Sequence, residues 1–232
     1  MKKSLIAIIL PTLNEEQAIG KVIDEIPYSK LDESQYKVDV IVVDGKSNDR
    51  TVEIAKSKGA RIITEPRRGK GRAIITAFKS INADYFFFLD ADYTYPAIYI
   101  PEMLKLLEQG HPIVIGTRLK GKRQKGAIRL TNIVGNHILT FMASFLYRNR
   151  ISDLCTGYWG LRGDIAKTLD LKTEGFQIEA ELYIELSKRG YPISDVPIYY
   201  RKRTGKAKLS VYKDGFKIGW LLISRCFSKP PR

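Results

Sequence analysis

Apolar residues along the chain fall into short runs separated by stretches of helical periodicity. The run over residues 5–10 predicts a buried strand, and the pattern over 15–26 predicts the helix that follows it. The alternation repeats with a strand over 38–43 and a helix over 50–58, a strand over 60–63 and a helix over 71–81, then a fourth strand over 85–89. Such alternation predicts the α/β class, with a mainly parallel central sheet flanked by helices. Beyond residue 100 the pattern changes. A helix over 101–108 and a strand over 113–115 lead into 116–129, a segment loaded with Lys and Arg. The helical stretch 133–147 contains no Lys, Arg, Asp or Glu, and 216–227 contains Lys217 and Arg225. Both are shorter than the roughly 20 residues that span a bilayer. They are expected either as core helices or as amphipathic helices lying in a membrane interface.

The polar residues that end the early strands carry the chemistry. Asn14 and Glu15, Asp44, and the pair Asp90 and Asp92 each follow an apolar run, and parallel sheets gather ligands beyond their strand C-termini. Two acids one residue apart repel unless a cation or a set of donors lies between them, which points to Mg²⁺ or Mn²⁺ with phosphate. A solvated turn is the competing reading of the same pair.

Composition narrows the partners. Among 232 residues, 39 Lys and Arg outweigh 25 Asp and Glu, and the net charge of +14 implies an anionic partner: nucleic acid, a phosphorylated small molecule or an anionic membrane surface. Nucleic acid is not expected. No zinc-finger spacing or RNA-recognition aromatic motif occurs, and Gly116-x4-Gly121-Lys122 ends in Arg123 where a P-loop needs Ser or Thr. Cys155 and Cys226 lack partners at metal-ligand spacing, so neither a zinc site nor a disulfide framework is expected and a reducing cytosol fits. Lys2 and Lys3 ahead of residues 5–10 look like the start of a secretory leader. The run is short, however, and enters Pro11-Thr12-Leu13-Asn14 without a small-residue cleavage site, so a core strand is expected.

The order of segments resembles family-two glycosyltransferases with the nucleotide-sugar-binding A fold, a Rossmann-like single domain. The segments are Pro11-Thr12-Leu13-Asn14-Glu15, Val42-Val43-Asp44 with Ser47-Asn48-Asp49-Arg50-Thr51, Gly69-Lys70-Gly71, Asp90-Ala91-Asp92 and Gly116-Thr117-Arg118. Thr156-Gly157-Tyr158, Gly175-Phe176-Gln177-Ile178-Glu179 and the basic stretch 200–209 are similar to dolichyl-phosphate mannose synthases and related polyprenyl-phosphate glycosyltransferases. The resemblance implies an inverting, metal-dependent transfer of a hexose from a nucleotide-diphosphate sugar to dolichyl or polyprenyl phosphate, peripheral to the cytoplasmic face of the membrane. It implies that Asp90 and Asp92 hold the metal, with Asp92 and Arg118 catalytic and Ala91 between the two acids in the binding segment. Asp44 would contact the nucleoside, Pro11, Leu13 and Glu15 would shape its pocket, and Lys70 would reach the diphosphate. An acceptor phosphate is largely an oxyanion at neutral pH and needs positioning more than a base. Arg118, Arg201, Arg203 and Lys208 are the candidate cations for it and for the diphosphate, and Glu179 and Glu181, which open a helical pattern, are candidate site carboxylates.

The expected division is a donor half over 1–118, an acceptor half over 119–210 and a membrane-interface helix over 211–232. Gly45-Lys46 follows Asp44 where many relatives carry a second acid, Tyr93 stands where mannose synthases often place Gln, and Leu13 where they often place Tyr. GDP-mannose, UDP-glucose and a UDP-N-acetylhexosamine therefore all remain open as donors. A soluble enzyme with a glycan acceptor is the alternative.

Overall fold

The computed structural model describes residues 3–31, 34–205 and 211–228. It begins with strand β1 (Ser4–Thr12), whose Ala7 and Ile9 enter one core while Ile6, Ile8 and Leu10 enter another. A strand that is dry on both faces needs no polar alternation, which is why this stretch reads as continuously apolar. Helix α1 (Ile19–Asp24), strand β2 (Tyr36–Asp44), α2 (Thr51–Ser57), β3 (Arg61–Thr64), α3 (Lys70–Ser80) and β4 (Tyr85–Phe88) complete the alternating half. After α4 (Ile100–Glu108) come β5 (Ile113–Thr117), α5 (Leu130–Tyr147), β6 (Trp159–Arg162), α6 (Gly163–Ala166), α7 (Ile178–Lys188), β7 (Ile193–Pro197) and α8 (Val211–Cys226).

Among the described residues the strands form one seven-stranded sheet in the order β3-β2-β1-β4-β6-β5-β7. β1 pairs in parallel with β2 and β4, β2 with β3, and β5 with β7. Strand β6 alone runs antiparallel, inserted between β4 and β5. The parallel strands therefore end at one edge of the sheet, and β6 begins there. Helices α1, α2 and α4 cover one face through Ile19, Val22, Ala55, Met103 and Leu107. Helices α3, α6 and α7 cover the other through Ile74, Phe78, Ile165, Leu182 and Ile184, and α5 and α8 pack on α7 and on each other.

Three expectations require correction. The helix expected over 15–26 is confined to Ile19–Asp24. Asn14 takes a left-handed conformation at φ 50°, and the Glu15 N–H donates at 2.8 Å to Oγ1 of Thr51, the first residue of α2, while the Asn14 and Glu16 amides donate to Ser47 and Asp49 of the β2–α2 loop, so side chains take up donors that a helical turn would leave open. Strands β6 and β7 were not anticipated, because Trp159-Gly160-Leu161-Arg162 is four residues with a central glycine and Ile193–Pro197 places Ser194 and Asp195 in its middle. Helix α5 also starts earlier, at Leu130, where the Asn132 and Ile133 amides bond back to the Arg129 carbonyl.

The insertion of β6 is held by Trp159, fully buried, stacked on Phe88 with ring centroids 6.3 Å apart and donating its indole N–H to the Thr156 carbonyl at 2.8 Å. Trp159→Ala is expected to cost about 3–5 kcal/mol of unfolding free energy by cavity formation, read as a shifted urea midpoint.

Candidate active site

The sheet edge carries an acid after each of its first four parallel strands. Asp44 is the last residue of β2, Glu65 follows β3, and Asp90 and Asp92 follow β4, while Glu15 comes shortly after β1. Three of the non-glycine residues with positive φ, Asn14, Lys46 and Tyr93 (φ 50°, 63° and 68°), lie in the loops leaving β1, β2 and β4. Backbone held in such sparsely populated conformations concentrates at functional sites.

Two cations bind this edge together. The Lys70 ammonium, at the first position of α3, sits against Asp90 and lies 2.5 Å from Glu179 Oε1, which is carried by the first turn of α7. Arg203 bridges Asp92 Oδ2 and Glu15 Oε1, each at 2.7 Å. Burial works against the Lys70 charge, but Asp90 and Glu179 outweigh it and raise its pKa above that of an ordinary lysine. Burial pushes Asp92 up, and the negative charge of Asp90 adds to it, against the pull of Arg203. Glu179 is also raised, by burial first, with Lys70 opposing. Asp92 Oδ1 accepts both the N–H and the hydroxyl of Thr94, at 3.1 and 2.5 Å, which fixes its orientation.

Around these groups lies a cavity of about 260 Å³. Pro11, Leu13, Glu15, Lys70, Asp90, Ala91, Asp92 and Arg203 all line it, so most of the residues singled out in the sequence meet in one place. Glu179 reaches it through Lys70. Asp44 does not line the cavity, though Gly45 beside it does; it is buried, accepting the Ser47 N–H at 3.0 Å and its hydroxyl at 2.5 Å, and Ser47 Oγ in turn accepts the Asn14 N–H at 2.8 Å. Arg118 stands apart from the cavity. Its Nε and Nη2 donate to the fully buried Asp153 at 2.8 and 2.7 Å, and its guanidinium lies over the rings of Tyr95 and Tyr200 at 5.9 and 5.5 Å. Arg201 pairs with Glu25 at 2.9 Å and lies 4.4 Å over the Tyr93 ring. Lys208 lies outside the described residues.

Residues 7–170 match the family described as Glycosyl transferase family 2. A dolichyl-phosphate hexose transferase of Haloferax volcanii is 35% identical over 226 residues, covering 97% of this chain and 95% of that protein. The chain belongs to glycosyl transferase family 2. It is a glycosyltransferase. A dolichol-phosphate mannosyltransferase of Pyrococcus furiosus is 27% identical over 214 residues, 88% of this chain and 59% of that one. Among solved structures, glucosyl-3-phosphoglycerate synthase from Mycobacterium tuberculosis in complex with Mn²⁺, UDP-glucose and phosphoglyceric acid superposes with a TM-score of 0.77 at 24% identity, over 99% of this chain and 81% of that one. That likeness establishes the shared fold.

The aspartate pair of this family 2 transferase suits a divalent cation. Both side chains offer hard carboxylate oxygens, and Asp90 packs where Gly157 leaves room: a Cβ on Gly157 would stand 2.5 Å from Asp90 Oδ2. Among the described residues no three His, Cys, Asp or Glu side chains gather into a closed metal cage. Magnesium-like ions characteristically take one or two carboxylates and complete their shell with water and substrate phosphates, so the residues present fit Mg²⁺ or Mn²⁺. Asp90 and Asp92 would hold it, and it would supply positive charge to the diphosphate leaving group.

The cavity and the surroundings of Arg118 also contain residues that the sequence reading did not name. Glu65, buried in the cavity wall, accepts Arg67 Nε at 2.7 Å and Nη2 at 3.0 Å, and the Thr76 hydroxyl. The same logic of acids at strand ends that found Asp44 and Asp90 reaches Glu65. Gly175 and Phe176 enter the wall from the loop before α7, which lies directly on the start of α3: a Cβ on Gly71 would be 1.9 Å from the Thr173 carbonyl oxygen. Asp153, the partner of Arg118, stands 35 residues away in sequence and had no local signal.

Arg67 holds the Glu65 carboxyl down from its ordinary 4.5 to about 2, against the effect of burial and with help from Thr76. The folded pKa lies below the unfolded one, so the pair's contribution is complete above about pH 4.5 and is lost as pH falls toward 2. Glu65→Gln is expected to lower stability by about 1–2 kcal/mol at pH 7. Urea unfolding across a pH series should show the gap from the parent protein shrinking below pH 4.5.

Proposed function

We propose that this transferase moves a hexose from a nucleotide-diphosphate sugar to the phosphate of a dolichyl or polyprenyl lipid, with inversion at the sugar carbon, at the cytoplasmic face of an anionic membrane. The observation that carries the reading is the pair of cations, Lys70 and Arg203, each bridging two carboxylates around one cavity. Charges arranged this way can exchange carboxylate for phosphate oxygens when a diphosphate enters. The near full-length likeness to a dolichyl-phosphate hexose transferase supports the lipid acceptor. Asp90 and Asp92 would hold a divalent cation, which would supply positive charge to the departing nucleotide.

The chain's own groups then divide the work. Pro11 and Leu13 wall the nucleoside side, and Asp44 steadies that side through Ser47 and the Asn14 backbone. Lys70 and Arg203 turn toward the diphosphate, while Glu179 keeps Lys70 in place. The acceptor phosphate is already an oxyanion near neutrality, its second pKa being near 6, so Arg201 and Lys208 serve to position it. Arg118, anchored on Asp153 through Nε and Nη2, serves the same purpose. Residues 1–118 thus hold the donor, 119–210 the acceptor, and 211–232 lie toward the membrane. Nucleic acid has no part in the reaction.

Protein incubated with Mn²⁺, dolichyl phosphate and labelled GDP-mannose, UDP-glucose or UDP-N-acetylglucosamine is expected to carry label into the organic phase with one of these donors, and to lose it on adding chelator. Label absent from the lipid with every donor, but transferred to a glycan or to phosphoglycerate, would overturn the acceptor. Asp92→Ala should reduce transfer on the order of 100-fold or more while its circular dichroism spectrum at the assay temperature stays that of the folded parent, although loss of the Arg203 partner lowers its melting temperature. A thermal-shift panel with Mn²⁺ should give the larger rise with the nucleotide of the true donor, since a ligand that binds the folded state raises apparent stability.

A further inference from the structure

We infer that the outer face of the α5–α8 pair is a docking surface for an anionic lipid bilayer. The inference rests on the lipid-acceptor reading for its purpose, while its observations stand apart from the catalytic cavity. Helix α5 is apolar on its outer side as well as its inner one. Its buried positions are Asn136, Thr140 and Ala143: Asn136 donates to Asp153 at 2.6 Å, and Thr140 Oγ1 accepts the Leu154 N–H at 3.0 Å. Its exposed positions are Leu130, Val134, Ile138, Phe141 and Phe145, between 50% and 74% accessible. The helix packs Leu139, Met142, Leu146 and Tyr147 against the core beside Asn136 and Thr140, and still turns a second apolar stripe outward where an ordinary surface helix is polar.

Helix α8 continues the face. Ile218 and Leu222 are buried, whereas Phe216, Trp220, Ile223 and Phe227 are 75%, 64%, 48% and 90% accessible. The two helices are fastened together. The Tyr147 hydroxyl donates to the Leu222 carbonyl at 2.8 Å, and Gly219 of α8 packs beside Leu139 and Met142. Four phenylalanines and a tryptophan, each leaving on the order of 100 Å² or more in water, exceed the few hundred Å² of apolar patch that a soluble monomer usually shows.

Charge selects the occupant. Between residues 119 and 152 there is no Asp or Glu, but there are seven Lys and Arg, among them the exposed Lys122, Arg123, Lys125 and Arg129 just before α5 and Arg148 and Arg150 just after it. Lys213 and Lys217 on α8 are exposed as well. A second copy of the chain would bring the same cations face to face, whereas anionic headgroups complement them. Among the described residues no helix is long and apolar enough to cross a membrane, so the pair lies on the surface, its aromatic residues at headgroup depth. Helix α5 also meets the sheet edge through the contact of Asn136 with Asp153, the partner of Arg118, which brings the basic start of α5 and the catalytic edge toward the same lipid surface.

The chain has two tryptophans, and Trp159 is fully buried, so a change of emission on adding lipid reports Trp220. Full-length protein is mixed with phosphatidylglycerol–phosphatidylcholine vesicles that contain no polyprenyl phosphate. The expected result is a blue shift, quenching by acyl-brominated lipid and weakening with salt. Phe145→Ser with Phe227→Ser should lower partitioning roughly ten-fold or more, and Lys122→Ser with Arg123→Ser and Lys125→Ser should lower it on phosphatidylglycerol vesicles alone. Unchanged emission, unchanged binding by folded variants, or a lipid-free dimer in sedimentation equilibrium with Trp220 already shielded from iodide would overturn the inference. Should the phenylalanine variant fail to fold, quenching of the parent protein by brominated lipid decides. Failure of vesicle binding with transfer to a short-chain polyprenyl phosphate retained overturns docking alone; vesicle binding without lipid-linked product overturns the acceptor reading alone.

Discussion

Lys70 and Arg203 stand between carboxylates that would otherwise repel one another at the crowded edge of the sheet. Each joins groups from distant parts of the chain: Lys70 opens α3, Asp90 follows β4 and Glu179 opens α7, while Arg203 reaches both Asp92 and Glu15. Removing one member of such a buried set leaves a charge without compensation, which costs about 3–5 kcal/mol. The arrangement fixes where α3, α7 and the late segment carrying Arg203 must lie relative to β1 and β4. The geometry that suits a diphosphate thus also holds the two halves of the fold in register.

Helix α7 transmits this constraint outward. Two residues beyond Glu179, the fully buried Glu181 accepts the amides of Lys172 and Thr173 at 2.9 and 2.6 Å, pinning the loop that lies on Gly71. The other oxygen of Glu181 lies 2.8 Å from Arg225 of α8. The helix whose Glu179 holds Lys70 and the helix that bears the aromatic face are therefore held by one carboxylate.

Much of the framework was legible in the sequence because both-face burial writes itself as uninterrupted apolar runs, as in β1, β2 and β4. The same strand-end logic located Asp44, Asp90 and Asp92, and the resemblance to a known family added Lys70, Arg203 and Glu179. What escaped was non-local. β6 is too short and glycine-broken to show a period, and its partners lie in strands far away in sequence. Arg118 was named from the sequence as a candidate cation, but its locking by Asp153, itself held by Asn136, could not be foreseen, since nothing in the local pattern of either segment foretells the meeting. The apolar reading of α5 was ambiguous because hydrophobicity does not tell which side faces inward; the buried Asn136 and Thr140 do.

The insertion of β6 between β4 and β5 imposes an order on folding. Strands β1 to β4 pair only with one another and with segments made before them, except along the open side of β4. Strand β5 finds its sheet partners only in β6 and β7, both made after it. During synthesis the first four strands can assemble as a unit, but β5 must wait for more than 40 residues before β6 connects it to the rest. Asp90 waits for Gly157, and Lys70 waits for Glu179. The charged edge of the sheet is therefore completed last, after most of the chain has left the ribosome, so a chain cut short before α7 would have a partly formed sheet without the Glu179 and Arg203 contacts.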